Sequence, residues 1–128
     1  ASGGTLHQSL DKIYADVDYP STIPGQIFYR KTIKIEETSL LSNILGRSSA
    51  RVNSIHKQAI SRVGAGLKVT AYEKNGVVQA IEDPARRFYL GVQFHPEFLT
   101  YHRHFKAIFK RLVETARLQR VHGAEAVV

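Results

Sequence analysis

The sequence of 128 residues contains no cysteine. The chain can therefore form no disulfide, no thiolate metal site and no thiol nucleophile from its own residues. It also has no apolar run long enough to span a bilayer, and its first residues lack the basic start and apolar stretch of a signal peptide. We expect a chain that does not enter a membrane, with the cytoplasm as its default location.

Positive charge is in excess, but it is not concentrated in any part of the chain. The net charge is +7, from 18 Lys and Arg against 11 Asp and Glu, and the basic residues are spread from Lys12 to Arg120 without a dense block. This spacing is typical of a solvated basic surface, so we expect no nucleic-acid partner. With 43% hydrophobic and 23% charged residues, the composition predicts one globular domain or part of one.

Local patterns predict short strands and helices. Alternating residues predict a strand over 29–35, and Ser39 and Gly46 are suited to begin and end a helix over 40–45. Two strands over 67–73 and 77–82, joined at Asn75-Gly76, predict a β-hairpin. The other predictions are a helix or turn over 3–13, an extended piece over 51–54, a histidine-bearing turn or loop over 56–60, a strand over 87–93 and a helix from 98 that fades after 117.

The triplet His95-Pro96-Glu97 follows the last predicted strand after one residue, Phe94. In α/β folds functional groups gather at the C-terminal ends of strands, and a carboxylate this close to a histidine can orient its imidazole. The other ring nitrogen would then take a proton from a nucleophile. The alternative is that Pro96 and Glu97 only start a helix and that His95 is a loop residue.

Two longer segments carry a family resemblance. The segment Gly91-Val-Gln-Phe-His-Pro-Glu97 resembles the C-terminal catalytic motif of class I glutamine amidotransferases. The segment Val52-Asn-Ser-Ile-His-Lys-Gln-Ala-Ile60 resembles a part of their γ-glutamyl-hydrolase branch. Stretches before and between these segments are also similar, so the resemblance covers roughly residues 3–116, with the γ-glutamyl-γ-aminobutyrate hydrolases as the closest branch.

The resemblance implies a fold, a reaction and a set of site residues. The intact protein would have a flavodoxin-like, three-layer α/β/α fold, with residues 1–117 as its C-terminal part, including the hairpin, and residues 118–128 as a tail. It would hydrolyse a γ-glutamyl amide with a cysteine, a histidine and a glutamate, of which His95 and Glu97 match the last two. His56 would line the substrate pocket or satisfy loop backbone groups, and Ser54 and Gln58 are weaker pocket candidates.

The cysteine of that set would precede Ala1, so we expect the isolated chain to be inactive. Its expected partner is a cysteine-bearing N-terminal half, within the same protein or as a complementary chain, and a homo-oligomer is an alternative. We expect no cofactor, and no metal because His102 and His104 fall on different faces of a helix. The alternative function is a non-catalytic binding or scaffold protein derived from the same family.

Overall fold

A computed structural model describes residues 3–8, 30–53, 58–99 and 102–122 of the chain. Within these residues the chain forms strands, two α-helices and one 3-10 helix. The strands are β1 (Thr5–His7), β2 (Arg30–Ile35), β3 (Ser49–Asn53), β4 (Ala59–Arg62), β5 (Lys68–Glu73), β6 (Val78–Glu82) and β7 (Leu90–Val92), and the helices are α1 (Leu40–Leu45), the 3-10 helix Pro96–Leu99 and α2 (Arg103–His122).

Five of the strands form one sheet, in the order β3-β2-β5-β6-β7, and each neighbouring pair is antiparallel. β1 and β4 form a separate antiparallel pair. The alternation that predicts β2 is confirmed, because Ile33 and Ile35 are buried while Thr32 and Lys34 are exposed. The edge strands of the larger sheet are therefore β3 and β7, and both lead into the region described below as the candidate site.

The predicted helix α1 is confirmed, including both of its ends. The Ser39 hydroxyl accepts a hydrogen bond of 3.0 Å from the backbone N–H of Ser42, which satisfies a donor in the first turn. At the other end Gly46 has a φ of +67°, a backbone conformation that glycine adopts without steric cost. Leu41 and Leu45 point into the core and fix α1 against the sheet.

The predicted hairpin is also confirmed, with β5 and β6 as its strands. The backbone N–H of Gly76 donates to the carbonyl of Glu73 over 2.9 Å, and Gly76 has a φ of +91°. Because only glycine adopts such an angle readily, the turn explains why this residue type stands there. The hairpin carries the central strands of the sheet and so supports the elements on both sides.

Helix α2 packs on the core with its first half only. Phe105 and Ile108 are buried, whereas Leu112 and Val113 are about half exposed. The helix continues to His122, so the predicted end near residue 117 is wrong. The division between domain and tail at residue 118 stays a prediction, although the helix passes through that position. Neither α-helix of the described segments is both long enough and apolar enough to cross a membrane.

Four other predictions of local structure differ from the structure. Residues 5–7 form strand β1 and not the predicted helix or turn, because they pair with β4. Gly4 lies directly before β1, and a Cβ added to it would approach the carbonyl oxygen of Arg62 to 2.7 Å. Residues 59 and 60, expected in a loop, begin β4. The strand predicted over 87–93 is confined to Leu90–Val92, and the long helix begins at Arg103, after a separate 3-10 helix.

Candidate active site

Two buried side chains fix the segment that carries His95. Phe94 is buried and meets the ring of Phe105 edge to face, at 5.9 Å between centroids and 74° between planes. Leu99, at the end of the 3-10 helix, is also buried. Between these anchors the side chains of His95 and Glu97 are 44% and 53% exposed. Both groups thus lie at the surface, on a segment whose two ends are buried in the core.

The His95 ring and the Glu97 carboxylate are hydrogen-bonded, with 2.8 Å between Nδ1 and Oε1. The tight 3-10 turn that begins at Pro96 brings the carboxylate back to the preceding imidazole. The pKa of Glu97 is lowered, first by a hydrogen bond from its own backbone N–H and then by the bond from His95, while partial burial opposes both. Glu97 is therefore ionised near neutral pH and can stabilise a protonated imidazole.

This geometry assigns different roles to the two ring nitrogens of His95. A carboxylate oxygen only accepts hydrogen bonds, so Nδ1 carries the hydrogen in the contact with Glu97. In that tautomer Nε2 is the basic nitrogen, and it is the atom through which the ring could take a proton from a nucleophile. The arrangement can serve as a general base, and the assignment of His95 and Glu97 as catalytic residues stays a prediction.

A further residue, which sequence reasoning missed, contacts His95 through the backbone. The Asn53 side chain donates from Nδ2 to the His95 carbonyl over 3.0 Å, and the His95 N–H donates to Asn53 Oδ1 over 2.8 Å. Asn53 is only 2% exposed. The available signal was a polar residue at the end of a strand, directly before Ser54, a candidate pocket residue, but its partner is 42 positions away.

The predicted pocket residues are not all described by the structure. Ser54 and His56 lie outside the described residues. Gln58 is exposed directly before β4, and its Nε2 donates to Gln8 Oε1 over 3.1 Å. The structure brings His95 and Glu97 together, as predicted, and the pocket roles of the other three residues stay predictions.

The histidines and carboxylates of the described segments form no group of three or more that could hold a metal ion. Burial, followed by the positive charges of Arg47 and Arg103, lowers the pKa of His104. A ring in such a setting is a poor neighbour for a further cation. The expectation that the protein uses no metal or cofactor remains untested.

Comparison with solved structures shows which fold the chain has. The chain superposes on a Thermoplasma acidophilum protein whose provisional name is that of a GMP synthase component, with a TM-score of 0.64 and 17% identity, over 94% of this chain and 53% of that one. It also superposes on a glutamine amidotransferase from Methylobacillus flagellatus, with a TM-score of 0.52 and 16% identity, over 75% of this chain and 32% of that one. The predicted α/β, glutamine amidotransferase-like fold is confirmed.

The family follows from sequence, since residues 1–97 match the family model of peptidase C26. The chain therefore belongs to the peptidase C26 family, the glutamine amidotransferase-like group that the resemblance predicted. It is 39% identical over 97 residues to a Mycobacterium tuberculosis protein with the provisional name of glutamine amidotransferase, covering 76% of this chain and 30% of the relative. It is 34% identical over 103 residues to the γ-glutamyl-γ-aminobutyrate hydrolase of Escherichia coli, covering 77% of this chain and 41% of the relative.

Proposed function

We propose that this chain is the C-terminal part of a cysteine-dependent γ-glutamyl amide hydrolase, in which His95 is the general base and Glu97 orients it. The observation that carries the proposal is the 2.8 Å contact between His95 Nδ1 and Glu97 Oε1 on a core-anchored segment. The name of the Escherichia coli relative, a γ-glutamyl-γ-aminobutyrate hydrolase, supports the substrate class. No cofactor or metal is part of the proposal.

The proposed reaction needs a thiol, which this chain does not contain. The chain spans only 30% and 41% of the length of the two relatives compared above, and the thiol would come from a cysteine-bearing N-terminal half. We use the term complemented protein for this chain together with such a half, in one polypeptide or two. The proposed domain is thus residues 1–117 plus that half.

In the proposed mechanism His95 moves protons in both halves of the reaction. Its Nε2 takes the thiol proton as sulfur attacks the γ-carbonyl, and then donates that proton to the leaving amine as the C–N bond breaks. The product is a thioester. In the second half His95 takes a proton from water, hydroxide attacks the thioester, and the thiolate leaves and is reprotonated, which releases glutamate. Glu97 stabilises the imidazolium form between these transfers.

Complementation tests the proposal directly. Intact mass first verifies that a preparation contains this chain alone, and hydrolysis of γ-glutamyl-γ-aminobutyrate and of glutamine is then measured. We expect no turnover from the chain alone and turnover from the complemented protein, with a mass increase on the cysteine-bearing half when the thioester is trapped by acid quenching. The matched control is the complemented protein with serine in place of the cysteine.

Two outcomes would contradict the proposal. Turnover by the verified chain alone would show that the nucleophile is not the missing thiol. A folded complemented protein with no activity on any γ-glutamyl amide would instead favour the alternative, a binding or scaffold protein of the same family.

A further inference from the structure

Asn53 joins two parts of the fold that the sheet itself keeps apart. It is the last residue of β3, whereas His95 follows β7, and these are the two edge strands of the larger sheet. Among the strands of the described segments, no pairing connects β3 with β7. The link between them at this point is the Asn53 side chain, which reaches across to the backbone of His95.

The contact uses both hydrogen-bonding groups of one residue's backbone. The carboxamide of Asn53 accepts from the His95 N–H over 2.8 Å and donates to the His95 carbonyl over 3.0 Å. Its orientation is unambiguous, because an amide N–H must meet the oxygen and a carbonyl must meet the nitrogen. Since Asn53 is 2% exposed, water does not compete for these groups, and losing either bond would leave a buried polar atom without a partner.

Two contacts together then determine where the imidazole stands. When both backbone groups of His95 are held, the direction of its Cα–Cβ bond is set, and only the two side-chain torsions remain. Glu97 restricts those torsions through Nδ1. Asn53 thus acts on the main chain and Glu97 acts on the ring, and neither contact replaces the other.

We infer that Asn53 is a positioning residue for His95, which fixes the backbone of the general base so that Nε2 is aligned with the nucleophile. The inference rests on the proposed function, because a position matters here only if His95 transfers protons. A small displacement suffices for a large effect, since misplacing a reacting group by about 1 Å can reduce turnover by roughly 10²-fold.

The test compares Asn53→Leu and Asn53→Ala in the complemented protein. Leucine keeps about the volume of asparagine and removes both hydrogen bonds, whereas alanine removes the bonds and the volume. If Asn53 only fills space, the leucine variant keeps normal turnover. If it positions His95, we expect kcat to fall about 10–100-fold in both variants while KM changes less than about threefold, because the lost alignment matters mainly in the transition state.

A second measurement reports on His95 without using substrate. The pH dependence of alkylation of the nucleophilic cysteine follows its thiolate population, and a well-placed imidazole lowers the pKa of a thiol. We expect the alkylation profile of both Asn53 variants to move towards that of an ordinary thiol. Val52→Ala is the matched control, since Val52 is a fully buried neighbour on β3 whose truncation weakens packing but leaves both Asn53 bonds in place. We expect it to leave kcat and the alkylation profile unchanged.

The outcomes separate this inference from the proposed function. Near-normal kcat in Asn53→Leu, beside an inactive His95→Ala, would overturn the positioning role alone. Near-normal turnover in His95→Ala would overturn the proposed function and this inference with it. If the leucine and alanine variants do not fold, Asn53→Asp keeps the size and the acceptor for the His95 N–H but not the donor. An Asp variant with normal kcat and a normal alkylation profile would equally overturn the positioning role.

Discussion

Two carboxylates of this chain lie in opposite settings. Glu97 is at the surface, where its side chain is 53% exposed and contacts the His95 ring. Glu82 is in the interior, where it is 4% exposed and its Oε1 accepts a hydrogen bond of 3.0 Å from the backbone N–H of Leu41. Burying a carboxylate is costly, so depth alone would mark Glu82 as the more unusual group.

The groups that the two carboxylates contact point instead to Glu97 as the candidate for chemistry. The partner of Glu82 is a backbone N–H in the first turn of α1, where a side-chain acceptor satisfies a donor that the helix cannot. Its effect is to tie α1 to β6. Glu97 instead contacts an imidazole ring, whose nitrogens can accept and donate a proton. What a carboxylate contacts, and not how deeply it is buried, separates a candidate for proton transfer from a structural support.

The largest effect that would test this difference is the loss of the His95 imidazole. In the complemented protein we expect His95→Ala to lower kcat by roughly 10⁴-fold or more, because no other group would move the proton. Substrate binding, measured as a Kd on the alanine variant, should change little. Turnover within tenfold of wild type would leave His95-Pro96-Glu97 as an ordinary start of a helical turn.

A smaller loss is expected for Glu97→Gln. Glutamine can still accept a hydrogen bond at the position of Oε1 and hold the ring, but it cannot stabilise the imidazolium by charge. We expect kcat to fall about 10²-fold with little change in KM. Steady-state hydrolysis of a γ-glutamyl amide measures both constants. A loss equal to that of His95→Ala would indicate that Glu97 does more than orient and stabilise the ring.

Changing Glu82, the interior carboxylate, should lower stability and leave activity unchanged. Glu82→Ala removes the acceptor of the buried Leu41 N–H, and we expect it to lower the free energy of unfolding by about 1–3 kcal/mol while kcat of the folded protein stays unchanged. Glu82→Gln keeps an acceptor and is the matched control, with a smaller loss. Denaturant unfolding beside steady-state kinetics checks both. A clear fall in kcat at full folding would break the distinction between the two carboxylates.

Sequence reasoning succeeded where the signal and its consequence are close in the chain. Ser39 and Gly46 mark the ends of α1, and Gly76 marks the hairpin turn, since each meets a local backbone requirement. The pairing of His95 with Glu97 is also local, because it spans one tight turn.

Features that depend on distant partners were not predictable from these patterns. Residues 5–7 carry no strong strand signal and become β1 because β4 is available to pair with them. Asn53 looks like the last residue of a strand, and only the fold brings the His95 backbone to it. The candidate general base was therefore predictable from its motif, whereas the residue that we infer holds it in place was not.

The smallest expected effect concerns the pKa of Glu97 itself, read by NMR titration of its side-chain carboxyl carbon in the complemented protein. The value in the folded protein lies below the ordinary 4.5, first because of its own backbone N–H and second because of His95. A carboxyl group with a lowered pKa contributes stability above its ordinary pKa, and this contribution is lost as the pH falls through the lowered value. His95→Ala removes the second cause and leaves the first, so we expect the pKa to rise towards 4.5 without reaching it. Correspondingly, any excess in Tm of wild type over Glu97→Gln should be present above about pH 4.5 and should shrink below it. An unchanged Glu97 pKa in His95→Ala would show that the 2.8 Å contact does not act on the carboxylate in solution.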